Sequence, residues 1–490
     1  MRRRTTYLVF AVTVAMAVSA APVFGGGGFQ KDPDTLVDPE HIKTVVTQIV
    51  APDATIGDTD LTVAGIGTDP VGVNLSSDPF PTQTDPPGTL FVDNTPLNGD
   101  CPQAAYPTIQ AAVNASGPGQ TVKVCPGTYA EQVQIFSHTH DGLRLESLIP
   151  LQATIKWPPA ETSHHLVEID TADRVTLRGF TITGPFNSGG CAVDRHEGVL
   201  VRDGFDEQID HNHITLIQDS NPGLYGCQQG DAVAVGWRNF PTHPGTARVD
   251  HNQIDEYQKN GIQAVNSGTV LQADHNVITG TTNALIKVIT AGNGVVVFMQ
   301  AAGVVDHNVI TNNRYTPFPL STGVILDEAP PGSSQVSYNR IFNNDSGIET
   351  DTQNRLDISH NDIFQNLSDA IDICGEPLFG CGFATGIVVR ANDIQNNGGS
   401  GIALFGASSN LLKSNHITGN GTMPLAPDST DGIRVDTTST NNQILDNHMQ
   451  SNVTHDCHDD SSGTGTAATA NTWQGDRGDT ENRPGLCTPN

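Results

Sequence analysis

Asp210-His211-Asn212-His213-Ile214, Asp250-His251-Asn252-Gln253-Ile254, Asp274-His275-Asn276-Val277-Ile278 and Asp306-His307-Asn308-Val309-Ile310 are four copies of one signature. It continues in reduced form at Asn339, Asn361, Asn392, Asn415 and Asn447, each followed two residues later by Ile341, Ile363, Ile394, Ile417 or Met449. Three residues before each Asn stands an apolar side chain, in order Ile209, Val249, Ala273, Val305, Val336, Ile358, Val389, Leu412 and Ile444. Matches at three positions in every copy mark a structural repeat. The Asn-to-Asn intervals are 40, 24, 32, 31, 22, 31, 23 and 32 residues. The bare unit is therefore about 22 to 24 residues, and the longer ones carry roughly eight to sixteen more in loops.

The shortest interval, Asn339 to Asn361, holds three short strands, around Arg340 to Phe342, Gly347 to Asp351 and Arg355 to Ser359. One turn of chain thus makes three strands, and the next turn stacks on it in parallel at about 4.8 Å, with Ile and Val inward and alternate residues outward. The repeated Asn should lie on one another at a tight turn, where Asn tolerates left-handed geometry and side-chain amides bond along the stack. Asp or Ser there is expected to lose that ladder. The predicted fold class is all-β: a single-stranded right-handed parallel β-helix with three-strand coils over residues 89–455, roughly ten to twelve coils, read as a monomer. A solenoid exposes unpaired edges at both ends. A helix near Thr108 to Ala115 is predicted to cap the first end and a polar segment, 456–490, the second.

Residues 1–20 read as a signal peptide: Arg2, Arg3 and Arg4 precede an apolar run from Leu8 to Val18, then the small-residue pattern Val18-Ser19-Ala20. The expected location is secreted, extracellular or periplasmic. Residues 21–88, rich in Gly, Asp, Pro and Thr, read as a linker or arm with one short helix in which Asp38 caps, Pro39 opens and Val45, Val46 and Ile49 share a face. Eight cysteines fit an oxidising compartment, and their order suggests local pairs: Cys101 with Cys125, Cys191 with Cys227, Cys374 with Cys381, Cys457 with Cys487. A formal charge of −29 argues against nucleic acid and anionic membranes, both polyanions that need basic faces.

The run Tyr106-Pro107-Thr108-Ile109-Gln110-Ala111-Ala112-Val113, followed by Thr121-Val122-Lys123-Val124-Cys125-Pro126-Gly127-Thr128-Tyr129, resembles the opening of pectate-lyase-like and pectinesterase-like β-helix proteins. The later coils resemble the generic parallel β-helix repeat, also found in the periplasmic copper-site maturation proteins of nitrous oxide reductase. The resemblance covers residues 89–455 and is one of scaffold: the compact catalytic signatures of polygalacturonases, pectin methylesterases and alginate epimerases are missing. It implies an extracellular polysaccharide as partner, held in a groove on one strand face. That face is read as the row Glu197–Arg202, Asp231–Val235, Asn260–Ala264, Leu285–Val288, Thr322–Asp327, Ser346–Asp351, Asp369–Ile373, Ser400–Leu404 and Asp431–Asp436.

Period-2 alternation on that row turns Ile348, Ile371 and Val435 inward and Lys287, Asp327, Glu349, Asp351, Asp372, Arg434 and Asp436 outward. Carboxylates one coil apart suit a retaining glycoside hydrolase and two coils apart an inverting one. The same group also suits Ca²⁺, with Lys287 or Arg434 as the base of a β-eliminating lyase. Asp327, Asp351 and Asp372, with Glu349, Lys287 and Arg434 beside them, are thus the candidate catalytic residues. Two plainer readings compete: solvated charges on an exterior strand, and a non-catalytic binding solenoid on the cell surface. The Asp-His pairs form a second row, more in keeping with structure than with a metal. His455-Asp456-Cys457-His458-Asp459-Asp460 has metal-like composition, but a disulfide at Cys457 would remove its thiolate. Trp237 with Phe240 is a candidate sugar-stacking pair.

Overall fold

The computed structural model describes residues 85–95, 101–191, 194–351, 355–375, 381–382, 384–422 and 430–490. The expected leader, the short helix expected after Asp38 and most of the expected arm lie outside them. Among the described residues the strands form three all-parallel sheets of 14, 12 and 12 members. Sheet A runs from Leu90–Val92 to Thr472–Gln474, sheet B from Gly127–Ala130 to His448–Gln450 and sheet C from Val133–Phe136 to Cys457–Asp459. The chain passes through A, B and C in turn, and each strand pairs with its counterparts one coil before and after.

Every position of the sequence repeat has its own place in this coil. The apolar residue before the Asn lies on sheet A, where Ile209 pairs with Val249, Val249 with Ala273 and so on to Trp473. The Ile after it lies on sheet B, in an unbroken column from Ile214 to Met449. Both columns are buried in one continuous core. Burial of each Ile or Val contributes about 1.5–3 kcal/mol, so every coil repeats the same apolar contribution.

The Asn side chains stand at the A-to-B corner. Each Oδ1 accepts the backbone N–H and the Nδ2 of the Asn one coil earlier, as Asn361 does for Asn339 at 3.0 Å each. Each Nδ2 also donates to a sheet A carbonyl of the preceding coil, as from Asn361 to Val336. The left-handed residue of the turn is the one before the Asn: His211, His251, His275, His307, Tyr338 and His360 all have φ between 54° and 58°. Their rings stack 4.7–5.0 Å apart. Aspartate does not break the row at its end, because the last position needs to accept from the coil before it, and Asp476 Oδ1 accepts from Asn447 N and Nδ2. A second ladder, five residues later, runs through Asn313, Asn344, Asn366, Asn397, Asn420 and Asn452 to Asp456 at the B-to-C corner.

Three features differ from the sequence-based expectation. Leu285–Val288 is not a strand: Ala284–Lys287 is one helical turn capped by Asn283, and the sheet C strand of that coil is Asn293–Phe298. A four-residue stretch is too short for its period to separate helix from strand. The sheets also continue past residue 455, since Cys457–Asp459 pairs with Ile433–Val435 and Thr472–Gln474 with Gln443–Leu445. The helix Ile109–Ala115, capped by Thr108, closes the other end, so the helix at Ala284–Lys287 is additional to the one expected. Disulfides link Cys101 to Cys125, Cys191 to Cys227, Cys374 to Cys381 and Cys457 to Cys487.

Candidate functional site

Chain-length variation is concentrated at the two corners that border sheet C; the A-to-B corner holds two residues from Arg178 onward and five, 148–152, in an earlier coil. At the A-to-B corner two residues separate Asp210 from His213, Asp250 from Gln253, Asp274 from Val277 and Asp306 from Val309. From B to C the connection is residues 216–230 in one coil and 343–345 in another; from C to A it is 236–245 in one and 299–301 in another. The outer face of sheet C is therefore the floor between two rows of variable loops.

Along the solenoid axis that floor changes character. One outward column reads Gln263, Val296, Ile325, Glu349, Asp372, Ala403, Arg434, His458. Its neighbour, two residues on, contains Val265 paired with Phe298, and then Asp327, Asp351, Cys374 and Phe405. Val265, Val296, Phe298 and Ile325 make a small apolar cluster separate from the core. The acidic residues follow it directly.

The register brings Asp327 beside Asp351 and Glu349 beside Asp372, each pair one strand apart. Asp327 and Asp351 are only 7% exposed, so they are not the solvated charges of the plainer reading; Glu349 and Asp372 are half-buried. Thr322 Oγ1 donates to Glu349 Oε2 at 3.1 Å. Arg434 lies in the Glu349–Asp372 column but is drawn toward Asp431, with Nη1 3.6 Å from Oδ2. Asp436 serves its own loop, accepting from Ser439 N and Oγ at 2.8 and 2.6 Å.

Lys287 does not join the acidic group. It ends the helical turn in a B-to-C loop and donates to Asn312 Oδ1 at 3.1 Å. Burial, with Arg314 nearby, holds its pKa below that of an ordinary lysine. Asp351 lies close to Cys374 and Cys381, but their sulfurs are joined to each other and offer no thiolate.

A second polar group occupies the N-terminal end of the same face. His165 Nδ1 lies 2.5 Å from Glu197 Oε2, and both side chains are buried. Burial, reinforced by Asp231 and Asp194, raises the Glu197 pKa well above the carboxylate range; burial depresses that of His165. Trp237 Nε1 donates to Asp194 Oδ1 at 2.7 Å, its ring stacks on Phe240 at 3.9 Å, and the Arg202 guanidinium lies 3.9 Å from its centre. Arg202 in turn pairs with Glu168 at 2.8 Å and Asp170 at 2.9 Å. The Trp237–Phe240 pair proposed to receive a sugar is therefore stacked on itself and packed by Arg202. Sequence reasoning passed over His165 because its coil precedes the row read from Glu197–Arg202 onward. The 32-residue separation of His165 from Glu197, one long coil, was the available signal.

A model of the right-handed β-helix region matches residues 242–381 and 374–473. The scaffold is a right-handed parallel β-helix. No curated protein sequence matches the chain. Among solved structures, this β-helix is similar to the Agl-KA catalytic domain, at 14% identity and TM-score 0.51, over 74% of this chain and 66% of that one. It is also similar to XylC in complex with xylose, at 12% identity and TM-score 0.48, over 77% of each chain. A further match is the periplasmic alginate epimerase AlgG, at 12% identity and TM-score 0.40, over 73% of this chain and 76% of that one. At these identities the likeness is one of fold.

Proposed function

We propose that this β-helix is a secreted glycoside hydrolase that binds a linear extracellular polysaccharide along the outer face of sheet C and cleaves it with Asp327, Asp351, Asp372 and Glu349. The observation that carries this reading is the register, which sets two carboxylate pairs on adjacent outward columns directly after an apolar strip. Apolar surface with a few convergent polar groups suits the faces and hydroxyls of sugar rings. Adjacent strands are about 4.8 Å apart. That is near the roughly 5–5.5 Å separation at which one carboxyl protonates the leaving oxygen and its partner attacks the anomeric carbon, with retention. Hydrolysis is favoured over elimination because Lys287 lies outside the group and Arg434 is held against Asp431.

The test is a polysaccharide panel, with and without Ca²⁺, reading reducing ends, unsaturated uronate absorbance and the anomer of the first product by NMR. Release of reducing ends with retained configuration, abolished by Asp351→Asn and Asp372→Asn with the β-rich circular dichroism spectrum kept, is expected. Unsaturated products would favour a lyase. Binding without turnover would favour a non-catalytic binding solenoid, and full activity in both variants would overturn the assignment of catalysis to these carboxylates.

A further inference from the structure

We propose that Asp431, His455 and His458 form a binding site for a divalent first-row transition metal ion such as Zn²⁺. The three come from two successive coils. Asp431 stands just before the strand Ile433–Val435, and His455 and His458 flank and enter the next strand, Cys457–Asp459. Pairing of Ile433 with Cys457 and Arg434 with His458, and the bond from Gly432 N to His455 O at 2.8 Å, hold the two segments in register. One ligand atom from each residue lies within 4.8 Å of the other two.

The geometry points all three donors at one place. His455 Nδ1 is 3.2 Å from Asp431 Oδ1, and His458 Nδ1 is 3.1 Å from Oδ2 of the same carboxylate. The two rings are 5.1 Å apart and nearly perpendicular, at 78°. Two imidazole nitrogens thus converge on the two oxygens of one carboxylate. The backbone N–H of His455 donates to Asp431 Oδ1 at 3.0 Å and fixes that side chain. Behind His458, its other nitrogen Nε2 lies 3.0 Å from Asp460 Oδ2. A carboxylate behind the imidazole is what metal-bound histidines nearly always have, because it sets the tautomer and the ring direction.

The donor set also selects the ion. Two nitrogens and one oxygen suit Zn²⁺ and its neighbours, whereas Ca²⁺ and Mg²⁺ require oxygen cages. Three protein ligands leave a coordination position for water. Asp431 is buried while His455 remains partly open to solvent, at 28%, which gives the ion a way in. Cys457, the tempting fourth ligand in the sequence, is bonded to Cys487 and takes no part. One cation competes for the place: Arg434 Nη1 is 3.6 Å from Asp431 Oδ2.

The experiment uses the full chain after exhaustive EDTA dialysis. Zn²⁺ binding is measured by calorimetry, Ca²⁺ by competition, and Co²⁺ by visible absorption and by paramagnetic shifts of histidine ring protons. One Zn²⁺ per chain is expected, undisturbed by excess Ca²⁺. Loss of the second carboxylate in Asp460→Asn should weaken binding about 10-fold or more, and His458→Ala or Asp431→Asn more than about 100-fold. Arg434→Met should tighten it. The control is His251→Ala with His275→Ala in the exposed ring stack, which should change nothing. The Co²⁺ shifts need no variant, so a folding defect in Asp431→Asn leaves the test intact. No bound Zn²⁺, displacement by equimolar Ca²⁺, or binding lost with His251 and His275 but kept in His458→Ala would each overturn the assignment.

Discussion

Asn361→Asp changes one atom in the middle of the main ladder and should be among the most damaging single substitutions in the protein. Asn361 Nδ2 donates to Val336 O at 2.9 Å and to Asn392 Oδ1 at 3.0 Å, while its Oδ1 accepts from Asn339 N and Nδ2. A carboxylate keeps both acceptor roles and loses both donations, turning a negative oxygen toward two oxygens inside the wall. The buried Val336 carbonyl loses this donor, at about 1–3 kcal/mol, and Asn392 Oδ1, which keeps the Asn361 backbone N–H at 2.9 Å, is turned against a like oxygen, so the loss is about 4 kcal/mol before the desolvated charge is counted. That is a factor of about 10³ in a local opening equilibrium. At the end of the row the requirement reverses. Asp476 uses both oxygens as acceptors, Oδ1 for Asn447 and Oδ2 for the Gln474 amide at 3.1 Å. Asp476→Asn therefore loses the Gln474 bond but removes a carboxyl that burial pushes up to about 6. The two effects should offset to within about 2 kcal/mol at neutral pH. Native-state hydrogen exchange is the assay. In Asn361→Asp the amides of Asn339, Asn361 and Asp362 should exchange about 10³-fold faster, while those of Ile155 and Ile182, many coils away, stay unchanged because each coil contacts only its neighbours. Equal protection in Asn361→Asp and wild type, or a larger loss in Asp476→Asn, would refute this account of the ladder.

Glu207 is buried and accepts the Val175 amide at 2.6 Å; burial raises its pKa to about 9. A folded-state pKa above the unfolded value means stability is fully present below about pH 4 and is lost as pH rises toward 9, at up to about 1.4 kcal/mol per pH unit. Glu207→Gln should remove that slope, so its melting temperature should gain on wild type steadily from pH 5 to 9; parallel curves would contradict the assignment. Gly323→Ala should destabilise by about 1–3 kcal/mol through overpacking. A Cβ there would sit 2.7 Å from both the Gly347 carbonyl and Ile341 Cγ2, and an unchanged denaturation midpoint would show that the coil can spread.

The core of the fold was legible because each coil repeats the same demand. A residue two after the Asn must fill the same space on sheet B as its neighbours, so Ile recurs from Ile214 to Ile417, and Met449 fits only at the end. The second ladder was equally open to reading, five residues after the first at Asn344, Asn366, Asn397, Asn420 and Asn452. The misplaced strand at Leu285–Val288 shows where pattern fails. The true strand, Asn293-Gly294-Val295, repeats the Asn-Gly entry of Asn260-Gly261-Ile262, and that entry was the better guide. The acidic residues could be listed from alternation alone, but which pairs with which depends on register across insertions. Lys287 was assigned to the group through the strand error, and His165 with Glu197 was missed because their contact crosses the long insertion before Glu197. The metal ligand Asp431 is 24 residues from His455, so no local motif contains the set.

The unequal corners of the coil divide two kinds of change between two parts of the chain. A residue added between Asp250 and Gln253 would shift every rung of the ladder out of line, whereas one added at residues 216–230 or 236–245 only lengthens a loop beside sheet C. Inheritance can therefore rework the rim of the floor coil by coil, by insertion and deletion, while the register beneath stays fixed. Loop exchange between such solenoids at these borders should transfer ligand preference without a redesign of the core, and the sheet C borders are the natural cut points for such grafts.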